Sequence, residues 1–228
     1  MSDSIRVCIG DDHRVVREGL KLVLCDPVNG LPEIRVVAEA ADGPQVLERV
    51  TGLHGPAGLD MVLLDIALPE LDGLEVLQQL RRDWPTLPVL MLSTYPERQY
   101  AVRCLQMGAA GYLHKSADPD AMVAAVRRVA AGQRYVSDAT AQALAQAVAR
   151  TSPVRGLAER KSHGLEALSY REHQVFRLLM TGQTVSEIGA QLGLAPNTVS
   201  TYRARILEKT GARNDVELAL LARGPATD

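Results

Sequence analysis

The chain has 228 residues, 46% hydrophobic and 23% charged, with a formal net charge of −2. This composition supports ordinary packed cores and leaves room for one large domain or two small ones. No apolar run reaches the roughly 18 residues of a membrane helix, and the acidic opening MSDSIRVCIGDD is unlike a signal peptide, so a cytoplasmic protein without a membrane segment is expected.

In chain order, the first half alternates short apolar runs with amphipathic stretches. IRVCIG (5–10) is β-branched and reads as a strand. The stretch 15–25 places Val16, Leu20, Val23 and Leu24 at helical spacing. IRVVAEA (34–40), MVLLD (61–65), PVLMLS (88–93) and AGYLH (110–114) read as further strands. Between and after them, 44–50, 74–82, 97–107 and 119–131 read as helices. Five strands alternating with five helices predict a doubly wound α/β fold with a five-stranded parallel sheet covered on both faces.

Residues 133–137 suggest a turn into the Ala/Gln-rich helix 139–150, and the polar stretch 151–164, with Pro153 and Gly156, has linker composition. The remainder carries no strand signal. Helices are expected over 168–182, 184–193, 194–211 and 215–223. Ser169 is the expected N-cap of the first, with Glu172 three residues on, and Asn214 that of the last. Gly182, Gly193 and Gly211 are the expected stops, and Pro196 falls near a first turn. Two short helices joined by a tight Gly-containing turn match a helix-turn-helix, so a small all-α domain follows the α/β one. The expected boundaries are 1–131, a partly helical linker over 132–164, and 165–228.

Charge divides along the same line. Residues 1–150 hold 15 basic and 19 acidic side chains, while residues 151–228 hold 10 basic and 8 acidic. An acidic module joined to a mildly basic one suggests different partners for each. Cys8, Cys25 and Cys104 are far apart and odd in number, so reduced thiols packed as small hydrophobes are expected.

In a doubly wound sheet, ligands gather at the carboxyl ends of strands, where strand order reverses. Asp11 and Asp12 follow the first predicted strand and Asp65 ends the third. Clustered carboxylates repel unless a cation or proton neutralises them, and an oxygen-rich set of this kind suits Mg²⁺. Ser93 ends the fourth strand and offers a hydroxyl; Lys115 follows the fifth and offers an ammonium. A carboxylate nucleophile, a metal, a hydroxyl and an ammonium are the parts that phosphoryl transfer to an aspartate requires. Each residue alone is as well explained as a turn, a cap or a solvated charge; the argument rests on five of them falling at successive strand ends. An aspartyl phosphatase of the haloacid-dehalogenase type would need a second acid two residues after the nucleophile, and Ala67 stands there.

DDH (11–13), LLDIALPELDG (63–73), LST (92–94) and GYLHK (111–115) together resemble a response-regulator receiver of flavodoxin-like fold over residues 5–131. The resemblance implies Asp65 as phosphoacceptor and Asp11, Asp12, Asp65 and the backbone carbonyl of Ala67 around Mg²⁺. It implies Ser93 as the hydroxyl that turns toward the phosphoryl group and Lys115 as its charge partner. Tyr112 falls at the switch aromatic position, the alternative being an ordinary half-buried tyrosine of an edge strand. Ser116 departs from the pattern, because many receivers have proline after the lysine.

Residues 168–222 resemble a LuxR-type helix-turn-helix, and the pairing with a receiver resembles the NarL/FixJ class. Tyr170 stands where that family often has proline, and Ser200 where it often has lysine. On the third helix, Asn197, Thr198, Ser200 and Thr201 are short polar residues able to approach base edges. Arg203 and Arg205 suit phosphate or guanine contact, or else a solvated face. Val199, Ile206, Leu207 and Val185 should face the domain core. The resemblance implies a sensor histidine kinase as phosphodonor, double-stranded promoter DNA as partner, and no enzyme activity of its own. A module of net charge +2 holds DNA weakly as a monomer, so a homodimer is expected. Val216, Leu218, Leu220 and Leu221 on the last helix are either its contact surface or simple core packing.

Overall fold

The computed structural model describes residues 4–94, 97–150, 168 and 170–223. The expected N-cap Ser169 and the linker 151–164 lie outside the described residues. The chain divides into two compact units, Met1–Pro153 and Val154–Asp228.

In the first unit, strands β1 (Ser4–Gly10), β2 (Glu33–Ala40), β3 (Met61–Asp65), β4 (Val89–Ser93) and β5 (Gly111–His114) form one sheet in the order β2-β1-β3-β4-β5. Every neighbouring pair is parallel. β3 and β4 are buried at every position, as a sheet covered on both faces demands. Helices α1 (Arg14–Leu24), α2 (Gly43–Gly52), α3 (Gly73–Asp83), α4 (Glu97–Gln106) and α5 (Pro119–Ala130) alternate with the strands. One core cluster joins Ile9, Leu63 and Leu92 of the sheet to Leu20 and Leu24 of α1 and to Met122, Val126 and Val129 of α5.

Strand order reverses between β1 and β3, so a crevice opens at their carboxyl ends. Local chemistry fixes the helix starts around it. The Asp72 side chain accepts from the backbone N–H of Leu74 and Glu75, and Glu75 reaches back to the Asp72 N–H, which makes a capping box. Gly73 is required for space: a Cβ there would lie 2.0 Å from the Asp65 carbonyl oxygen. Two features differ from expectation. Residue 135 does not merely turn the chain, since Tyr135 bridges Gly111 in parallel and donates its N–H to Ala110. Helix α6 (Asp138–Arg150), which the sequence reading places in the linker region, packs along α4.

The second unit is helical where described: α7 (Tyr170–Met180), α8 (Val185–Leu192), α9 (Pro196–Thr210) and α10 (Asp215–Arg223). Thr184 and Glu187 form the capping box of α8, and Gly193 ends it with φ 67°. Pro196 opens α9, Gly211 closes it with φ 74°, and Asn214 accepts from the Glu217 N–H at the start of α10. Val175, Phe176, Ile188, Val199, Ile206 and Leu218 form the core, with Val185 and Leu207 partly buried against it. Among the described residues, no helix is long and apolar enough to cross a membrane.

Candidate functional site

The crevice above β1 and β3 gathers the acids. Ligand-capable atoms of Asp11, Asp12, His13 and Asp65 all lie within 4.8 Å of one another. Asp11 is 0% and Asp65 1% exposed, so two carboxylates are withdrawn from water side by side. Lys115 answers both: its Nζ lies 2.6 Å from Asp11 Oδ2 and 2.8 Å from Asp65 Oδ2.

The backbone loops are held from several sides. The Asp11 N–H donates to the Ala40 carbonyl, Asp11 Oδ1 accepts from the His13 N–H, and Arg17 donates to the Asp11 carbonyl at 2.8 Å. Lys115 is fixed at the end of β5 by its own N–H, which donates to the Ser93 carbonyl at 2.8 Å.

Burial pushes the Asp65 carboxyl above the ordinary aspartate range; the Lys115 ammonium opposes this, and the neighbouring Asp11 charge adds to it. An N–H of Ala67 also donates to Asp65 and favours its ionised form. Burial works against the Lys115 charge, but Asp65 and Asp11 outweigh it and hold the ammonium above the ordinary lysine value. The site therefore stores like charge that a single ammonium balances in part.

A second cation fits this balance. Three carboxylates on two strand ends form an oxygen donor set of the kind that holds Mg²⁺ together with water and phosphate oxygens. Asp12 would supply the outer carboxylate; its Oδ1 is 2.6 Å from His13 Nδ1.

Ser93 is 2% exposed at the end of β4, the strand paired beside β3. Tyr112 is fully buried on β5 and is among the largest enclosed side chains. This corrects the half-buried alternative in its burial alone: β5 is the edge strand of the sheet, and α4 and α5 pack beside it.

One rim feature was not read from the sequence. His114 Nδ1 accepts from the Ser116 N–H at 3.1 Å and lies 2.6 Å from Ser116 Oγ, while its Nε2 lies 2.8 Å from the Thr94 carbonyl. The backbone donation to Nδ1 places the ring proton on Nε2, which donates to Thr94. A proline at 116 would lack that N–H. The departure at Ser116 thus carries its own contact, joining the loop after β4 to the loop after β5.

In the second unit, Asn197, Thr198, Ser200, Thr201 and Arg205 are exposed on α9 and Arg203 is half-buried. Residues 197, 201 and 204 share one face of α9 by spacing, and Ala204 is exposed on it. Thr201 donates its hydroxyl to the Asn197 carbonyl, which commits its one donor and leaves an acceptor and a methyl for a partner. Arg203 Nε donates to both carboxylate oxygens of Asp215, at 2.9 and 3.0 Å. Lys209 pairs at 2.6 Å with Glu172, which is 1% exposed and ties α7 to α9. Val216, Leu220 and Leu221 remain exposed on α10, whereas Leu218 enters the core.

Comparison with known proteins covers both units. Residues 7–127 match the response regulator receiver domain, and residues 166–222 match the bacterial regulatory proteins of the luxR family. The chain is 40% identical to the response regulator GacA of Pseudomonas viridiflava over 222 residues, covering 96% of this chain and 95% of that one. It is 35% identical to the response regulator UvrY of Escherichia coli, covering 96% and 93%. Among solved structures, the response regulator ChrA of a heme-sensing two-component system is 32% identical with a TM-score of 0.50, covering 97% and 98%. An RcsB–DNA complex, 20% identical with a TM-score of 0.55 over 98% of this chain and all of that one, shares the fold. The chain belongs to the two-component response regulators of the NarL/FixJ class, in which a receiver is followed by a LuxR-type helix-turn-helix DNA-binding domain.

Proposed function

We propose that this protein is a cytoplasmic transcriptional regulator switched by phosphorylation of Asp65. The carrying observation is the buried Asp65 carboxylate at the end of β3, beside Asp11 and 2.8 Å from the Lys115 ammonium. The receiver spans 1–131, the linker region 132–164 and the DNA-binding domain 165–228. The chain has no catalytic turnover of its own.

The phosphodonor is a sensor histidine kinase. An Asp65 oxygen attacks the phosphorus of the phosphohistidine; the P–O bond forms as the P–N bond breaks, and the departing imidazole keeps the electron pair and takes up a proton. Asp11, Asp12, Asp65 and the Ala67 carbonyl would hold Mg²⁺, which would supply positive charge for the phosphoryl oxygens. Lys115 gives up Asp65 and pairs with the new phosphoryl charge. The Ser93 hydroxyl turns toward the same group, and Tyr112 follows it within the β4–β5 face, giving a second packing of the sheet.

The output is binding of double-stranded promoter DNA by a homodimer. Asn197, Ser200 and Thr201 read base edges with Thr198 beside them, and Arg203 and Arg205 meet phosphate or a guanine edge. RcsB, which shares this fold, has been solved with DNA. Acetyl phosphate labelling tests the receiver: wild type takes up label and Asp65→Ala does not. Equal labelling of the two would overturn the assignment. Gel shifts comparing duplex DNA with RNA test the output, and preference for RNA would overturn it.

A further inference from the structure

The DNA-binding unit spends several of its few cations on itself. Residues 151–228 carry 10 basic side chains against 8 acidic ones. Lys209 is bound to the buried Glu172, Arg213 to Glu217, and Arg203 to Asp215. The three pairs are not equivalent. Glu172 is enclosed, so its pair is part of the α7–α9 packing. Arg213 is 86% exposed and pairs with Glu217, four residues away at the α9–α10 turn. Arg203 stands on α9 itself, three residues after Ser200, and its side chain and that of Asp215 are 39% and 42% exposed. An ion pair this open to water is weak and is readily exchanged for another anion.

We propose that Asp215 sets the DNA affinity of this protein by withholding Arg203, and that binding exchanges the Asp215 carboxylate for a DNA phosphate. This rests on the DNA-binding reading of the domain. Arg203 then acts as a latent phosphate contact. Its Nε is committed to Asp215 in the free protein, so each protomer meets DNA with one cation fewer than its sequence suggests. Phosphate neutralisation dominates protein–DNA affinity and fixes its salt dependence, so one released arginine per protomer is measurable. Asp215 also lies in the first turn of α10, but the Asn214 side chain caps that helix. The carboxylate at 215 is therefore not needed to start it.

The test uses the full-length chain, a labelled mixed-sequence DNA duplex and fluorescence anisotropy across a salt series. Asp215→Asn is expected to bind about fivefold more tightly at low salt. Its plot of log K against log salt should keep the wild-type slope, because Arg203 meets a phosphate in both complexes and only the competing carboxylate is lost. Asp215→Ser, which keeps a residue suited to a helix start, should behave alike, and circular dichroism checks that both variants fold. In an Arg203→Gln background, Asp215→Asn should leave the affinity unchanged. An unchanged affinity in both single variants, with wild type binding normally, overturns the proposal alone. A gain that persists without Arg203 also overturns it, since Asp215 would then act only by repelling phosphate. Wild-type protein with no salt-dependent binding would overturn the DNA-binding reading together with the proposal.

Discussion

The receiver sets its reactive groups inside the protein: Asp11 and Asp65 are buried, Ser93 is 2% exposed, and one ammonium spans the two carboxylates. The helix-turn-helix sets its polar residues outside, on α9, above a core of Val199 and Ile206. In the first unit, the groups proposed for the chemistry are also groups that cost stability, because a buried charge needs a partner. In the second, the proposed reading face and the packing face are different sides of one helix and can change independently. A buried site is therefore coupled to the fold, and a surface site is not.

The largest effect expected on the fold is at Gly73. A methyl group there meets the Asp65 carbonyl at 2.0 Å and the Ile66 Cα at 2.8 Å, both backbone atoms. Gly73→Ala should cost the receiver about 3 kcal/mol in chemical denaturation, through overpacking that rotamers cannot relieve. It should also weaken acetyl phosphate labelling, since the Asp65 loop must move. A variant with wild-type stability would show that the β3–α3 junction yields easily and that site and fold are less coupled than argued.

Lys115→Met is next. It leaves Asp11 and Asp65 buried without their shared cation. Removing one partner of a buried pair is costly, and about 2–3 kcal/mol is expected here because Asp65 can take up a proton. Added Mg²⁺ should stabilise Lys115→Met more than wild type, since a divalent cation answers the same two carboxylates. Thermal melts with and without Mg²⁺ measure this. Equal stabilisation of the two proteins would separate the ammonium from the metal site.

The strand ends and their acids were legible because they rest on covalent order. An apolar run that closes on Asp65 must put that residue at the carboxyl end of its strand, and the βα alternation brings Asp11 beside it. Ser93 and Lys115 followed from the same register. The core face of α9 was legible for a similar reason, since Val199 and Ile206 are seven residues apart. Features that depend on which rotamer meets which neighbour were not legible. Nothing local says that Arg203 turns to Asp215, that Thr201 bonds back to Asn197, or that Lys209 reaches Glu172 across 37 positions. The His114 link was hidden in a departure: Ser116 reads as a missing proline until the structure shows its N–H on the ring. The bridge from Tyr135 to Gly111, in a stretch whose sequence signals only a turn, was not legible either, nor was the full burial of Tyr112.

A smaller effect, with the opposite sign, is expected at Asp65. Its folded-state pKa is raised, chiefly by burial. The folded protein therefore holds the proton more tightly than the unfolded chain does, and this group makes stability fall as pH rises from the ordinary aspartate value through the raised one. Above that window the cost is complete. Asp65→Asn removes the charge while Lys115 keeps Asp11, so it should stabilise the receiver by about 1 kcal/mol near neutral pH. The advantage should shrink as pH falls and vanish below the ordinary aspartate range. An advantage independent of pH would show that the gain is not electrostatic.

The smallest effect on stability is expected on α9. Asn197 and Ser200 are exposed and their side chains lie opposite the core residues Val199 and Ile206. Alanine at either should leave the melting behaviour within about 0.5 kcal/mol of wild type. Binding to a footprinted promoter site should nevertheless weaken about tenfold, with little change on mixed-sequence DNA. Paired melts and anisotropy on the same samples check both halves of the statement. Only backbone atoms of Asn197 enter the Thr201 hydrogen bond, so truncating its side chain leaves that contact in place. A large loss of stability would mean that the reading face also carries packing, and the contrast with the buried carboxylates would fail at that residue. Unchanged stability with altered sequence preference would place base reading on a surface free to diverge while the receiver crevice stays tied to its own fold.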